Sequence, residues 1–326
     1  MPRDAGTELL GLADIHEARQ RIAEGIDVTP LVAASADPAY AHLFLKCENL
    51  QRGGAFKLRG ALNFLLQLDA AALSRGVITY SSGNHGQAMA IAAARLGAPA
   101  VVVMPTTAPP VKVENARRFG AEVVFAGTTS LHRKERAEAI AADRGMTIVP
   151  PFDHARIVAG QGTVALELLE QRPDVTAVYV PAGGGGLIAG VAAAIKRSAP
   201  HVRVVGVEPD GAPKMTRSLS AGAPVTLDRI DSIADGLLAV RPGDLTFAHI
   251  EALVDEVVTV SDDEIRAAMR WIASHAKLVA EPSGATAVAG ALRLAPPGSP
   301  GVHVAVVSGG NLELSLLAAV LAEQPR

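Results

Sequence analysis

A lysine between a glycine turn and a predicted helix is the first residue whose setting could support chemistry. Lys57 stands at the start of that helix in the run GGAFKLRG, residues 53–60. A lysine there faces the positive end of the helix dipole, which disfavours its ammonium form, and the neighbouring Phe56 would shield it from water. Both effects lower the pKa of the amine and make it a nucleophile. From position alone, a surface lysine on an amphipathic helix is the more common interpretation.

Two polar loops offer further reactive or binding groups. One joins a predicted strand to a helix, so its backbone N–H groups could bind a carboxylate; its residues are Ser81-Ser82-Gly83-Asn84-His85-Gly86. The other also follows a strand, where its hydroxyl could hydrogen-bond a heteroatom at the sheet edge; its residues are Ser308-Gly309-Gly310-Asn311. Taken alone, the first loop is equally well explained as a helix-capping turn, and the second is better explained as one. His85 by itself is more typical of a structural helix-start residue than of a catalytic base.

A run of four glycines is the strongest single binding signal in the chain. Gly183, Gly184, Gly185 and Gly186 follow a predicted strand and precede a helix, so unhindered N–H groups would converge on a phosphate. The loop does not identify its ligand, because residues 184–189 also match the dinucleotide pattern G-x-G-x-x-A, with Glu208 at the ribose-binding position. A dinucleotide-dependent oxidoreductase is therefore an alternative. A P-loop is excluded because no Gly-Lys-Ser/Thr follows.

Composition limits the function classes further. The 326 residues are 49% hydrophobic and carry a net charge of −3, which favours a soluble globular protein and gives no reason to expect nucleic acid or a membrane as partner. Cys47 is the single cysteine, which excludes an intramolecular disulfide and fits a reducing compartment. No apolar run reaches the roughly 18 residues of a membrane span, and the N-terminus lacks the apolar core of a signal peptide. We therefore expect a cytoplasmic protein.

Short apolar strands alternate with helices, a pattern typical of α/β proteins with parallel sheets. The first series predicts strands at 77–80, 100–104, 121–126 and 146–149, with helices at 85–96, 110–119 and 130–143. The second predicts strands at 177–181, 202–208, 257–260 and 302–307, with helices at 187–198 and 262–275. Ser261 and Glu264 form a capping box before the last of these helices. The series predict two units with a boundary near residue 150, and the pattern does not assign the first 75 residues, which carry a helix at 58–68.

Eight motifs together carry a family resemblance. In chain order they are KCENLQRGGAFKLRGALN, SSGNHGQAMAIAA, AGQGTVALELL, VPAGGGGLIAG, VGVEP, IADGL, EPSGA and SGGN. They resemble the serine/threonine dehydratase and serine racemase group, which are fold-type II pyridoxal-phosphate enzymes of the tryptophan-synthase-β-like superfamily. The resemblance implies two three-layer α/β domains with parallel-strand sheets, and a homodimer. We assign residues 1–75 with 150–326 to a large cofactor-binding domain, and 76–149 to a small substrate-loop domain.

The resemblance also implies roles for individual residues. Lys57 would carry the cofactor as a Schiff base, with Phe56 packed beside it. Asn84 would bond the cofactor's 3-hydroxyl, Ser308 would face its pyridine nitrogen, and Glu281 would line that side. The phosphate would lie on Gly183, Gly184, Gly185 and Gly186. The substrate carboxylate would be received by Ser81, Ser82, Gly83, Asn84 and His85.

The implied activity is elimination of water and ammonia from a β-hydroxy amino acid such as L-threonine or L-serine. The bound cofactor makes the α-proton of the amino acid acidic, and the displaced Lys57 amine is placed to remove it. A neutral Ser308, unlike a carboxylate, would not keep a proton on the ring nitrogen, which favours rapid loss of the β-hydroxyl. A 2-oxo acid and ammonia would result.

Departures from the common motif leave other activities open. Ala55, in the place of a frequent serine, resembles the 3-hydroxyaspartate dehydratases and plant-type serine racemases. Ser82 matches the serine that racemases use as the acid/base on the opposite face. Serine or aspartate racemisation, and dehydration of 3-hydroxyaspartate or phenylserine, are therefore alternatives.

A divalent cation site, which the family often has after the VEP strand, is altered in this sequence. Glu208 is present and Ala212 offers a carbonyl, but Lys214 stands where an aspartate is frequent. A lysine ammonium beside Glu208 could take the place of the metal. We therefore predict no metal site.

Overall fold

The computed structural model describes residues 8–34, 37–81, 83–108, 110–128 and 130–323. Its α-helices are α1 (Leu12–Ile22), α2 (Lys57–Leu65), α3 (Ala70–Arg75), α4 (Asn84–Leu96), α5 (Pro110–Arg118), α6 (Ser130–Arg144), α7 (Ala155–Gln171), α8 (Gly186–Ser198), α9 (Lys214–Ala221), α10 (Asp244–Leu253), α11 (Asp262–Trp271), α12 (Pro282–Leu294) and α13 (Leu314–Ala322). Its strands are β1 (Leu31–Ala33), β2 (Leu43–Cys47), β3 (Val77–Thr79), β4 (Ala100–Met104), β5 (Glu122–Phe125), β6 (Thr147–Ile148), β7 (Ala177–Pro181), β8 (Arg203–Pro209), β9 (Glu256–Val260) and β10 (His303–Val307).

The strands form two separate sheets. The larger has the order β1-β2-β10-β7-β8-β9, and the smaller has the order β5-β4-β3-β6. Neighbouring strands are parallel throughout, except that β1 pairs antiparallel with β2 at the edge of the larger sheet. The predicted α/β class with parallel sheets is therefore confirmed.

Helices cover both faces of the larger sheet, because successive strand residues point to opposite sides. In β7, Val178 and Val180 face a core made with α1, α7, α8 and α10. Ala177 and Tyr179 face a second core made with α11, α12 and α13. The result is a three-layer α/β unit whose strands are apolar on both faces.

The smaller sheet is layered in the same way. Val102 faces α2, α4 and α5, whereas Val101 and Val103 face α6. The helix α2, which precedes this sheet in sequence, thus packs on the smaller sheet, while β1 and β2 belong to the larger one. The division into domains 1–75 with 150–326 and 76–149 stays a proposal.

Several elements differ from the sequence-based expectation. The predicted helix at 262–275 has its Ser261–Glu264 capping box, but α11 ends at Trp271 and continues as a π-helical turn, Ile272–Ala276. The predicted helix at 58–68 ends at Leu65. The helix α7 was not predicted from the sequence, and it is buried along most of its length, from residue 157 to residue 168. In the described part of the chain, no helix is long and apolar enough to cross a membrane.

A buried ionic cluster joins the larger sheet to α2 and α7. Arg59 donates to Glu48 from Nε at 2.8 Å and to Glu167 from Nη1 at 2.6 Å. Lys46 donates to the second oxygen of Glu167 at 2.7 Å. All of these side chains are at most 3% exposed. Because Arg59 lies two residues after Lys57, the cluster anchors the first turn of the helix that carries Lys57.

We expect Glu167→Ala to lower the free energy of unfolding by about 3–5 kcal/mol, because it leaves the buried Lys46 without its carboxylate partner and Arg59 with Glu48 alone. Urea unfolding followed by circular dichroism measures this loss. The matched control is Glu170→Ala on the same helix, whose carboxylate pairs with Arg19 while 59% exposed. An exposed pair contributes only about 0–1 kcal/mol. Equal losses in the two variants would contradict the assigned role of the cluster.

Candidate active site

The loops singled out from the sequence follow strands at the carboxyl edges of the two sheets, where α/β folds bind ligands. Cys47, Pro181 and Val307 end neighbouring parallel strands of the larger sheet, and Thr79 ends β3 of the smaller one. Between them lies a cavity of about 530 Å³. Its lining includes the predicted residues Phe56, Lys57, Ser81, Gly83, Asn84, His85, Gly183, Gly184, Gly185, Gly186, Glu281 and Ser308. Ser82 lies outside the described residues.

Lys57 presents a partly desolvated amine to this cavity. It is the first residue of α2, and its Nζ donates to the carbonyl oxygen of Pro151 at 2.8 Å. Burial lowers the pKa of Lys57 to about 8. The Phe56 ring lies 5.1 Å from Nζ, a contact that favours the charged form, so the loss of hydration is the stronger effect. With this pKa, on the order of a tenth of Lys57 is a neutral nucleophile at pH 7, far more than for an ordinary lysine.

The glycine loop, residues Gly183–Gly186, is packed too tightly for side chains. Gly185 has a φ of +100°, a conformation that L-residues rarely adopt. It is the N-cap residue of α8. A Cβ on Gly184 would lie 2.4 Å from the Phe152 ring. Thr246 fixes the loop by donating from Oγ1 to the carbonyl oxygen of Gly184 at 2.7 Å. The free N–H groups of the first turn of α8 make this loop a suitable anion site.

A hydrogen-bonded chain links the polar loops on the other side of the cavity. Asn311 donates to Oδ1 of Asn84 at 2.9 Å, and Asn84 donates to Oε1 of Glu281 at 2.6 Å. Burial and the nearby Asp235 raise the pKa of Glu281 to about 8. Glu281 is therefore mostly a neutral acid at pH 7. Ser308, which is 3% exposed, donates to the carbonyl oxygen of Ser283 at 3.4 Å.

His85 is a neutral ring held by the backbone. Its Nε2 lies 3.1 Å from the carbonyl oxygen of Val149, and this contact assigns the proton to Nε2. Burial, together with the positive charge of Lys57, lowers the pKa of His85 to about 3. Its Nδ1 is buried and has no hydrogen-bond partner within the described residues. At neutral pH Nδ1 can therefore accept a hydrogen bond, while the single ring proton stays on Nε2 in its bond to Val149.

Other residues at the site were not identified from the sequence. Lys112 forms an ion pair with Asp235 at the cavity rim, and Arg241 pairs with Asp244 at 2.6 Å. Asp235 belongs to the IADGL motif, so the sequence could have identified it as a site residue. Neither Lys112 nor Thr246 lies in any of the family motifs. Two of the cations that line the cavity are therefore already neutralised by aspartates.

The residues present fit pyridoxal phosphate, the cofactor that the resemblance implies. The ligand needs an amine for its aldehyde, an anion site for its phosphate and polar partners for its ring substituents. The cavity offers the low-pKa Lys57, the glycine loop, and the Asn84 and Ser308 side chains. A Cβ on Gly184 or Gly185 would clash with Phe152 or Thr246, so the loop can hold this position beside the cavity, with its backbone N–H groups uncovered, only as glycine.

Comparison with known proteins agrees with this fit. The family model of the pyridoxal-phosphate dependent enzymes matches residues 22–309. The chain is 42% identical over 309 residues to an L-threonine ammonia-lyase of Geobacter sulfurreducens, covering 94% of this chain and 77% of the relative. It is 42% identical over 313 residues to a serine racemase of Arabidopsis thaliana, covering 94% of each chain.

Solved structures show the same likeness. The structure of maize serine racemase superposes with a TM-score of 0.90 at 39% identity, covering 96% of this chain and 97% of the maize chain. The family match favours pyridoxal phosphate over a dinucleotide, although the glycine loop also satisfies a dinucleotide pattern.

Proposed function

Because the chain belongs to the family of pyridoxal-phosphate dependent enzymes, we propose that it removes water and ammonia from a β-hydroxy amino acid. L-Threonine and L-serine are the proposed substrates, and the products are a 2-oxo acid and ammonia. The observation that carries the proposal is the low-pKa Lys57 in one cavity with the glycine loop and the Asn84 loop. Relatives named as L-threonine ammonia-lyases support the reaction type.

Each group in the cavity has a proposed part in holding the cofactor. Lys57 attaches it, and Phe56 packs beside the attachment point. The phosphate is held by Gly183, Gly184, Gly185 and Gly186. Asn84 faces the 3-hydroxyl, an orientation supported by its bonds to Asn311 and Glu281. Ser308 faces the ring nitrogen.

When bound, the cofactor supplies an electron sink that acidifies the α-proton of the amino acid. Lys57, with a pKa of about 8 in this cavity, has the basicity to accept that proton near neutral pH. Ser308 and the neutral form of Glu281 place no full negative charge on their side of the cavity. No negative charge on this side of the cavity would stabilise a proton on the ring nitrogen of the cofactor. The cofactor would then be a weaker electron sink, which favours rapid loss of the β-substituent.

The substrate carboxylate is proposed to lie at the N-terminus of α4. Ser81, Ser82, Gly83, Asn84 and His85 form the loop, and its N–H groups carry the positive end of the helix dipole. His85 is neutral, so it adds no side-chain charge to this loop. The loop thereby orients the amino acid without a charged side chain.

A substrate panel tests the reaction and its scope. We expect 2-oxo acid release from L-threonine or L-serine to exceed release from either 3-hydroxyaspartate by about tenfold or more. The reason is that Lys112 and Arg241 are already paired with aspartates, and Nε of Arg133 donates to the carbonyl oxygen of Tyr80. A second substrate carboxylate would have to compete with these partners for each cation. Coupled assay of the 2-oxo acids measures the ranking. A preference for a 3-hydroxyaspartate would contradict this assignment.

Racemisation of serine is a second candidate, since relatives named as serine racemases are about as similar as the ammonia-lyases. It needs a second acid/base on the face opposite Lys57, and Ser82 is the proposed group. We expect Ser82→Ala to reduce any racemisation at least about 100-fold while elimination stays within about tenfold. Chiral chromatography of remaining substrate, beside the 2-oxo acid assay, separates the two. Parallel loss of both activities would contradict a face-specific role.

The remaining expectations are also proposals. We infer a homodimer from the family. We infer a cytoplasmic location from Cys47, the single cysteine, whose thiol is buried and forms no disulfide. The proposed partner is a small amino-acid substrate.

A further inference from the structure

The Lys214 side chain is completely buried at the place where the family resemblance implies a divalent cation. Its Nζ donates to the carbonyl oxygens of Ala182 at 3.0 Å and Ala212 at 3.1 Å. It also lies 3.4 Å from Oε2 of Glu208, whose side chain is likewise fully buried. A single nitrogen is thus enclosed by three oxygens.

These oxygens come from segments that meet behind the glycine loop. Ala182 is the residue immediately before Gly183, and its own N–H donates to Val207 in β8 at 2.8 Å. Glu208 also caps α9, since its two oxygens accept the N–H groups of Met215 at 3.0 Å and Thr216 at 2.7 Å. The Lys214 nitrogen therefore crosslinks the start of the glycine loop, the end of β8 and the first turn of α9.

The number and charge of these contacts match an ammonium ion. An ammonium has three N–H donors, which suits three oxygen acceptors, whereas a neutral amine would direct its lone pair at one of them. The buried carboxylate of Glu208 also needs a positive partner in a dry environment. The charge and hydrogen bonding of this pocket are satisfied within the chain.

The same pocket does not fit a divalent metal ion. Magnesium and calcium prefer six or more oxygen ligands, and the described residues contain no group of three or more His, Cys, Asp or Glu side chains arranged to hold a metal. A metal ion among these oxygens would also lie against the Lys214 nitrogen.

We propose that Lys214 is a tethered cation that replaces a divalent metal ion and holds the start of the glycine loop in place. The enzyme therefore keeps its fold and its cofactor affinity without added metal. This inference goes beyond the proposed reaction, because its test measures stability and metal binding without any substrate.

The wild-type protein gives the first measurement. Its melting temperature is expected to stay within about 1 °C when the apoprotein is treated with EDTA or given about 5 mM Mg²⁺ or Mn²⁺. Titration calorimetry with either metal alone is expected to show no saturable heat. A stabilising shift with metal, or a loss of stability in EDTA, would overturn the proposal.

Variants at position 214 separate the charge from the bulk of the side chain. Lys214→Met keeps the volume but leaves Glu208 unpaired, so its melting temperature is expected to fall by roughly 5 °C or more, with no recovery in metal. Its dissociation constant for pyridoxal phosphate is expected to rise on the order of tenfold. Lys134→Met, which removes a lysine that is 53% exposed in a loose pair with Glu138, serves as the control and is expected to change little. A Lys214→Met protein as stable as wild type would overturn the proposal.

Lys214→Asp converts the pocket into a metal site by adding a second carboxylate beside Glu208. We expect it to be destabilised in EDTA and to regain about 5 °C or more with Mg²⁺ or Mn²⁺, with a saturable heat of binding. A folded Lys214→Asp protein that shows neither a stability gain nor a saturable heat with either metal would contradict the assignment of the pocket as a cation site. If this variant does not fold, the wild-type and Lys214→Met measurements decide the question by themselves.

Discussion

Lys57→Ala is expected to lower the elimination rate by at least about 10⁴-fold, because it removes both the amine that attaches the cofactor and the base that accepts the α-proton. The variant should also lose the absorbance band at roughly 410–420 nm that a lysine-bound cofactor gives. Absorbance spectra of the purified protein and the 2-oxo acid assay measure the two effects. A Lys57→Ala protein that keeps both the absorbance band and the elimination activity would contradict the proposed role of Lys57.

The matched control for this change is Lys134→Ala. Lys134 lies on α6 with its side chain 53% exposed, in a loose pair with Glu138, and it does not line the cavity. It should keep both the absorbance band and the activity. Circular dichroism of the two variants establishes that each is folded, so that a loss at Lys57 reports chemistry.

The pH dependence of cofactor capture should follow from the same residue. The neutral amine is the reacting form, so capture by the apoprotein should accelerate as pH rises and level off above a pKa of about 8. A lysine with the ordinary pKa of 10.5 would keep accelerating through pH 10. Near pH 7.5 this difference makes the neutral fraction on the order of 100-fold larger. Stopped-flow absorbance across pH 6.5 to about 10 measures it.

The site was predictable from sequence to the extent that it follows a topological rule. Glycine and serine turns after apolar strands must meet at the carboxyl edge of a parallel sheet. That rule, with the family motifs, predicts that Lys57, Asn84, Ser308 and the glycine loop lie together. The parallel α/β class followed from the same alternation of strands and helices.

Contacts between distant, unpatterned positions were not predictable in this way. Arg59 and Glu167 are separated by 108 residues, and a charged residue type by itself predicts surface exposure for each. They nevertheless form an ion pair in the core. Thr246 reaches the glycine loop only because α10 packs against α8. Such pairs are specified by tertiary packing, which hydrophobic periodicity does not encode. Lys214 was an intermediate case, because a departure from a motif pointed to it.

The backbone of the glycine loop should matter as much as the Lys57 amine for holding the cofactor. Gly185 has a φ of +100°, and a Cβ there would lie 2.8 Å from Cβ of Thr246. Gly185→Ala must therefore either strain or displace the loop, and the N–H groups that converge on the phosphate lose their alignment. Charge-assisted hydrogen bonds contribute about 1.5–3 kcal/mol each. Losing one of them raises the dissociation constant of pyridoxal phosphate about 10- to 100-fold, and losing two raises it about 100-fold or more.

Gly222→Ala separates this effect from simple backbone strain. Gly222 ends α9 with a φ of +66°, so alanine there meets a comparable conformational penalty, but no atom lies within 4 Å of the added Cβ. Both variants should lose about 1 kcal/mol of stability through the backbone, while only Gly185→Ala should lose cofactor affinity. Titration of each apoprotein with pyridoxal phosphate, monitored by absorbance, makes the comparison. Wild-type affinity in Gly185→Ala would mean that the phosphate lies elsewhere in the cavity, because no backbone-held anion could tolerate that displacement.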